Sequence, residues 1–97
     1  MANVNLTCRV TENDGVEHHS FRHETTDIGV DQSEMTFSAP AGETTILKWW
    51  MWGNPGGSIK VEVLQGDRVI KTRLKSDIPN SVPTGWDKLS IKPELEA

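Results

Sequence analysis

Apolar residues recur with a period of two along most of this chain, and no stretch carries the three-to-four spacing of an amphipathic helix. Val4, Leu6, Cys8 and Val10 alternate with Asn3, Asn5, Thr7, Arg9 and Thr11. Ile59, Val61 and Val63 alternate with Lys60 and Glu62, and Ile70, Thr72 and Leu74 with Lys71, Arg73 and Lys75. In a strand, successive side chains point to opposite faces, so each run describes a ribbon with one apolar side. Clusters of turn residues punctuate the runs at Asn13-Asp14-Gly15, Pro40-Ala41-Gly42, Gly53-Asn54-Pro55-Gly56-Gly57 and Gly66-Asp67. The pattern predicts an all-β fold: a small single-domain antiparallel β-sandwich of about seven short strands, of immunoglobulin-like or jelly-roll type. A small closed barrel is the alternative. Residues 1–93 read as the β-sandwich domain and residues 94–97 as a C-terminal tail.

Turn chemistry sharpens the expectation in two places. Asp14-Gly15 is a pair that suits a tight hairpin, which separates a first strand from a polar, edge-like second strand over residues 16–24. Gly66-Asp67 is a second such turn. With two residues in the loop, it sets Val63 opposite Ile70, Val61 opposite Thr72 and Ile59 opposite Leu74. That register buries Val61, Val63, Ile70 and Leu74, exposes Lys60, Glu62, Lys71 and Arg73, and brings Glu62 across from Lys71. Residues 25–33 read as a loop, followed by short strands at 35–39, 44–52 and 89–91.

At 97 residues the chain suffices for one modest core. The longest apolar stretch, residues 46–52, is interrupted by Lys48 and is too short to span a bilayer, so no membrane span is expected. The first residues carry neither a basic nor an apolar leader segment, and the compartment is left open. Cys8 is the only cysteine. It allows no intrachain disulfide, and its place on the apolar side of the first strand makes it a small buried hydrophobe rather than a reactive thiol. The net charge of −4 is unevenly spread, with eight acids against two bases in residues 1–46. Five cations between Lys60 and Lys75 form a basic patch, but the overall acidity, with a pI near 5.2, argues against nucleic acid as a partner.

Three groups of residues invite a chemical reading. His18, His19 and His23 suggest zinc, yet positions four apart on a strand lie roughly 13 Å from each other, so an exposed polar strand is the favoured reading. Asp27, Asp31 and Glu34 suggest calcium, but their spacing does not match a calcium-binding loop, and a solvated acidic segment is favoured. No metal and no cofactor is therefore expected. Catalytic signatures are lacking: there is no Gly-x-Ser-x-Gly, no glycine-rich phosphate loop and no cysteine beside a histidine, which points away from an enzyme.

The third group is the run Lys48-Trp49-Trp50-Met51-Trp52, which holds three of the four tryptophans. Leu47, Trp49 and Met51 share one parity and make the better core candidates. Trp50 and Trp52, with Lys48, are then the exposed set, joined by Trp86 after the proline-containing connection. Flat indoles stack on sugar rings and anchor protein interfaces. The sequence thus suggests a non-enzymatic recognition domain that binds glycan through Trp50, Trp52, Trp86 and Lys48. The alternative is a structural or interaction protein, such as a homo-oligomer, inhibitor or assembly component, that uses the same patch against protein.

Overall fold

The computed structural model of the chain describes residues 3–95. Six strands make one antiparallel sheet: β1 (Asn3–His23), β2 (Thr26–Val30), β3 (Glu34–Pro40), β4 (Thr45–Gln65), β5 (Arg68–Asp77) and β6 (Thr84–Ile91). The all-β, antiparallel architecture expected from the alternation is what the chain forms, and no helix occurs among the described residues. None is therefore long and apolar enough to cross a membrane.

The strands are fewer and longer than expected. Strands β1 and β4 each run for 21 residues and pair with one another from Leu6↔Gln65 to His23↔Leu47. Their two ends carry different neighbours. At one end the order is β3-β1-β4-β5, and at the other it is β2-β1-β4-β6. The residues expected to turn the chain around, Asp14-Gly15 and the run from Gly53 to Gly57, instead bend these strands where they lie side by side.

Close backbone packing explains the bend. Gly15 and Gly56 have φ of +86° and +84°, conformations that L side chains rarely adopt. A Cβ on Gly53 would fall on the carbonyl oxygen of Gly15, and one on Gly57 would stand 2.8 Å from the same atom. The ladder skips here, between Asp14 and Val16 and again before His18. Asn13 fills the gap: its side-chain amide donates to the Val16 carbonyl at 2.9 Å, and its Oδ1 accepts the Val16 N–H at 3.0 Å.

Contacts between the two ends of the bent sheet close the core. The His23 ring lies 4.6 Å from that of Phe37 on β3, and the Trp49 indole N–H donates to Ser76 Oγ of β5 at 2.9 Å. Trp49, Phe21, Leu47, Met51, Val61 and Val63 are all completely buried, with Phe21 stacked on Trp49 at 5.2 Å. Cys8 is buried among them as expected, and the loss of solvent pushes its thiol pKa up to about 12. Glu94 is held through its main chain, which donates to Gln65 Oε1 and accepts from Gln65 Nε2. The last two residues of the expected tail, 96–97, lie outside the described residues.

Three local expectations are corrected. First, β4 and β5 turn at Gly66-Asp67 as expected, with Leu64↔Val69 and Gln65↔Arg68. A one-residue shift between Val63 and Leu64 then places Val63 opposite Lys71, not Ile70. A second shift sets Ile59 opposite Ser76. Each single-residue slip swaps the faces of everything beyond it. Val61 and Val63 are buried and Lys71 is exposed, but Ile70 is half-buried and Leu74 lies on the surface. Lys60, Glu62 and Arg73 are half-buried rather than exposed. Second, residues 16–23 are not an edge strand, because they run between β2 and β4. Third, residues 26–30 are the strand β2 rather than part of a loop, with Val30 paired to Ser20 and Thr26 to His23.

Three outcomes follow from this packing. Gly53→Ala should destabilise the fold by about 1–3 kcal/mol or more, because the added methyl drives the two backbones apart. Asn13→Ala should cost about 1 kcal/mol by removing both of its hydrogen bonds to the Val16 main chain. Urea unfolding of both variants measures these values. In the native protein Cys8 should react with a thiol reagent far more slowly than in denaturant, and equal rates under the two conditions would contradict its burial.

Candidate functional site

Strand periodicity places the candidate residues. On β4, Leu47, Trp49 and Met51 point into the core, so Lys48, Trp50 and Trp52 point the other way. Cross-strand pairing adds neighbours from both sides. Ser20 stands opposite Trp50 and Trp50 opposite Trp86; His18 stands opposite Trp52 and Trp52 opposite Thr84; Arg22 stands opposite Lys48 and Lys48 opposite Lys88. The outer face of the β1-β4-β6 region is therefore a grid of three rows. Its middle row extends onto β2, where Val30 pairs with Ser20 and is 62% exposed.

The structure brings together all four residues singled out in the sequence. Trp86 is 59% exposed and Trp52 41%, while Trp50 and Lys48 are half-buried. The Lys48 ammonium lies 5.7 Å from the ring centroid of Trp50 and 5.4 Å from that of Trp86, with the Arg22 guanidinium 5.6 Å from Trp50. Such cation–π contacts contribute about 0.5–1 kcal/mol each at exposed sites, enough to bias the indole orientations. Beside them opens a groove of about 410 Å³, lined by Trp50, Trp52, Trp86, Thr84, Pro79 and Asp77. Gly85 also lines it, and the absence of a side chain there lets β6 approach the Asp77–Ile78 backbone, since a Cβ would come within 3.1 Å of the Asp77 carbonyl oxygen and of Ile78.

Arg22, Ser20 and Lys88 belong to this face without having been singled out from sequence, and so does His18, which the sequence marks only as a candidate zinc ligand. Their alternate spacing is readable, but only the pairing of residues 16–23 and of β6 with β4 joins them to the tryptophans. Trp86 was expected at the end of a loop; it lies within β6, directly across from Trp50.

The histidines and acids are placed apart from one another. His18 is exposed, with Nδ1 3.0 Å from Asp31 Oδ2. His19 faces inward, edge-on to Phe21 at 5.5 Å, and burial lowers its pKa despite the charge of Asp31. His23 lies against Phe37 with Nε2 2.6 Å from Thr45 Oγ1, and burial lowers its pKa as well. Asp27 pairs with Arg22 at 2.8 Å, and Glu34 lies 3.7 Å from Arg9. Asp31 accepts from His18 and from the His19 N–H, which together hold its carboxyl below the usual range. Glu24 is likewise held low, by the Ile46 N–H and the Thr45 hydroxyl. Among the described residues, no three metal-type side chains converge.

No family model matches the chain, and neither a curated protein nor a solved structure does.

The pKa directions give the fold a defined response to acid. His19 and His23 resist protonation in the folded state, whereas in the unfolded chain they titrate near 6.5. Their contribution is fully present above that value and is lost as pH falls through the lowered folded values. Asp31 and Glu24 add a second loss below the ordinary carboxylate range. The melting temperature should therefore drop between pH 7 and pH 5, and His19→Phe should flatten that slope.

Proposed function

We propose that this chain is a non-enzymatic recognition domain that binds glycan on the face formed by Trp50, Trp52, Trp86 and Lys48. The observation that carries the proposal is the direct opposition of Trp50 and Trp86, with Trp52 two residues along and an open groove beside them. An indole face offers a flat apolar surface to the C–H face of a sugar, and rigid aromatic side chains lose little entropy on contact. Exposed tryptophans grouped at adjacent positions are costly to leave in water and mark a surface that meets a ligand. No bound metal or cofactor is part of this reading.

One observation favours a protein partner instead. The row Val30-Ser20-Trp50-Trp86 carries exposed apolar side chains at both of its ends, which suits a self-complementary interface in a homo-oligomer or an assembly.

The two readings separate by experiment. Trp52→Ala and Trp86→Ala should change stability by no more than about 0.5 kcal/mol and should lower glycan-array binding by about 2 kcal/mol or more. Trp49→Ala should instead cost about 3–5 kcal/mol of stability. A dimer that dissociates on Trp86→Ala, without glycan binding by the monomer, would favour the protein interface.

A further inference from the structure

The rows of the tryptophan face differ in charge. Arg22, Lys48 and Lys88 stand directly across from one another on three neighbouring strands. Like charges so placed repel and destabilise a sheet. Nothing in the composition requires the arrangement, since the chain has 14 acidic residues against 10 basic ones. Arg22 is offset by Asp27 at 2.8 Å. Among the described residues Lys48 and Lys88 have no carboxylate within ion-pair distance. Lys48 rests over Trp50 and Trp86 instead, and Lys88 is exposed two residues from Trp86.

Positions two apart on a strand are separated by about 7 Å. A sugar stacked on Trp50 and Trp86 thus has its exocyclic groups beside two cations that no protein acid neutralises. Resting on the glycan reading above, we propose that the ligand is an acidic glycan, whose ring stacks on Trp50 and Trp86 while a carboxylate or sulfate pairs with Lys48 and Lys88. Asp27 at one side of the cation row and Asp77 in the groove wall bound the positive region. That extent fits one or two anionic groups better than a continuous phosphate backbone.

The test is titration of tryptophan fluorescence, with calorimetry, using three oligosaccharides of equal length: an oligogalacturonate, a heparin-derived fragment and a neutral cello-oligosaccharide. At least one acidic oligosaccharide should bind about tenfold or more tightly than the neutral one, and its affinity should fall as salt rises. The preference between the first two identifies carboxylate or sulfate as the anion. Lys48→Gln and Lys88→Gln should each weaken acidic binding about five- to tenfold and weaken neutral binding by a clearly smaller factor, while Lys60→Gln, away from this face, should change neither. Because Lys88 is exposed, its variant reads out even if Lys48→Gln perturbs the fold. Equal affinity for neutral and acidic ligands, with both lysine variants indifferent, would overturn the proposal and leave the glycan reading standing. Failure of all three to bind would remove both. Tighter binding of a thymidine oligonucleotide than of either acidic sugar would overturn the proposal in favour of nucleic acid.

Discussion

The meeting of Gly15 with Gly53 and Gly57 is the contact on which the rest of the structure depends. Side chains at these positions would hold the β1 and β4 backbones apart, and two paired 21-residue strands would have no shared bend. With glycine at all three, both strands bend together while their pairing resumes on either side. The bend brings Phe37 to His23 and Ser76 to Trp49, contacts between segments far apart along the ladder. A single hydrogen bond from a completely buried indole then joins β4 to β5 across the core, where an unpaired N–H would cost about 1–3 kcal/mol.

The same bend gives β4 two roles. Its first half contributes Leu47, Trp49 and Met51 to the core and Lys48, Trp50 and Trp52 to the surface, a division set only by the period of the strand. The inner set anchors the outer set. Displacing Trp50 would require moving a backbone held by ladders on both sides, from β1 and from β6, while Trp49 and Met51 are packed beneath it. The tryptophan face is thereby held in place by the fold itself.

How much of this the sequence revealed follows from what kind of information each feature carries. Parity is local, and it correctly separated Trp49 and Met51 from Trp50 and Trp52 and placed Cys8 in the core. Register is not local. The Gly66-Asp67 turn sets the pairing of Val69 and Arg68, but bulges beyond it carry Leu74 to the surface, and no residue there announces a bulge. Asp14-Gly15 shows the chemistry of a hairpin and becomes a bend because Gly53 and Gly57, far along the sequence, accept its backbone. Once that pair is misread, residues 16–23 look like an edge, and Arg22, Ser20 and His18 are lost from the tryptophan face. The tryptophans were legible because they are adjacent in sequence. Their cationic neighbours were not, because only pairing between strands brings them there.

The bend also reaches the groove. Past the end of β5, Ile78 donates to the Gly57 carbonyl at 2.7 Å and accepts from the Gly56 N–H at 3.0 Å, and it is buried. Pro79, the next residue, lines the groove together with Thr84 and Trp86. On the other side, the Gly53 N–H donates to the Pro83 carbonyl at 2.9 Å, so the connection that carries the wall is tied to the bend at both ends. Its two prolines restrict the backbone further. The glycines that let the sheet fold over are thus one or two bonds from the groove wall, and a change in the bend angle would alter the distance between Pro79 and Trp52. Stability and groove shape are coupled through this corner rather than through the hydrophobic core, where a substitution such as Cys8→Ala would loosen packing and leave the groove geometry in place.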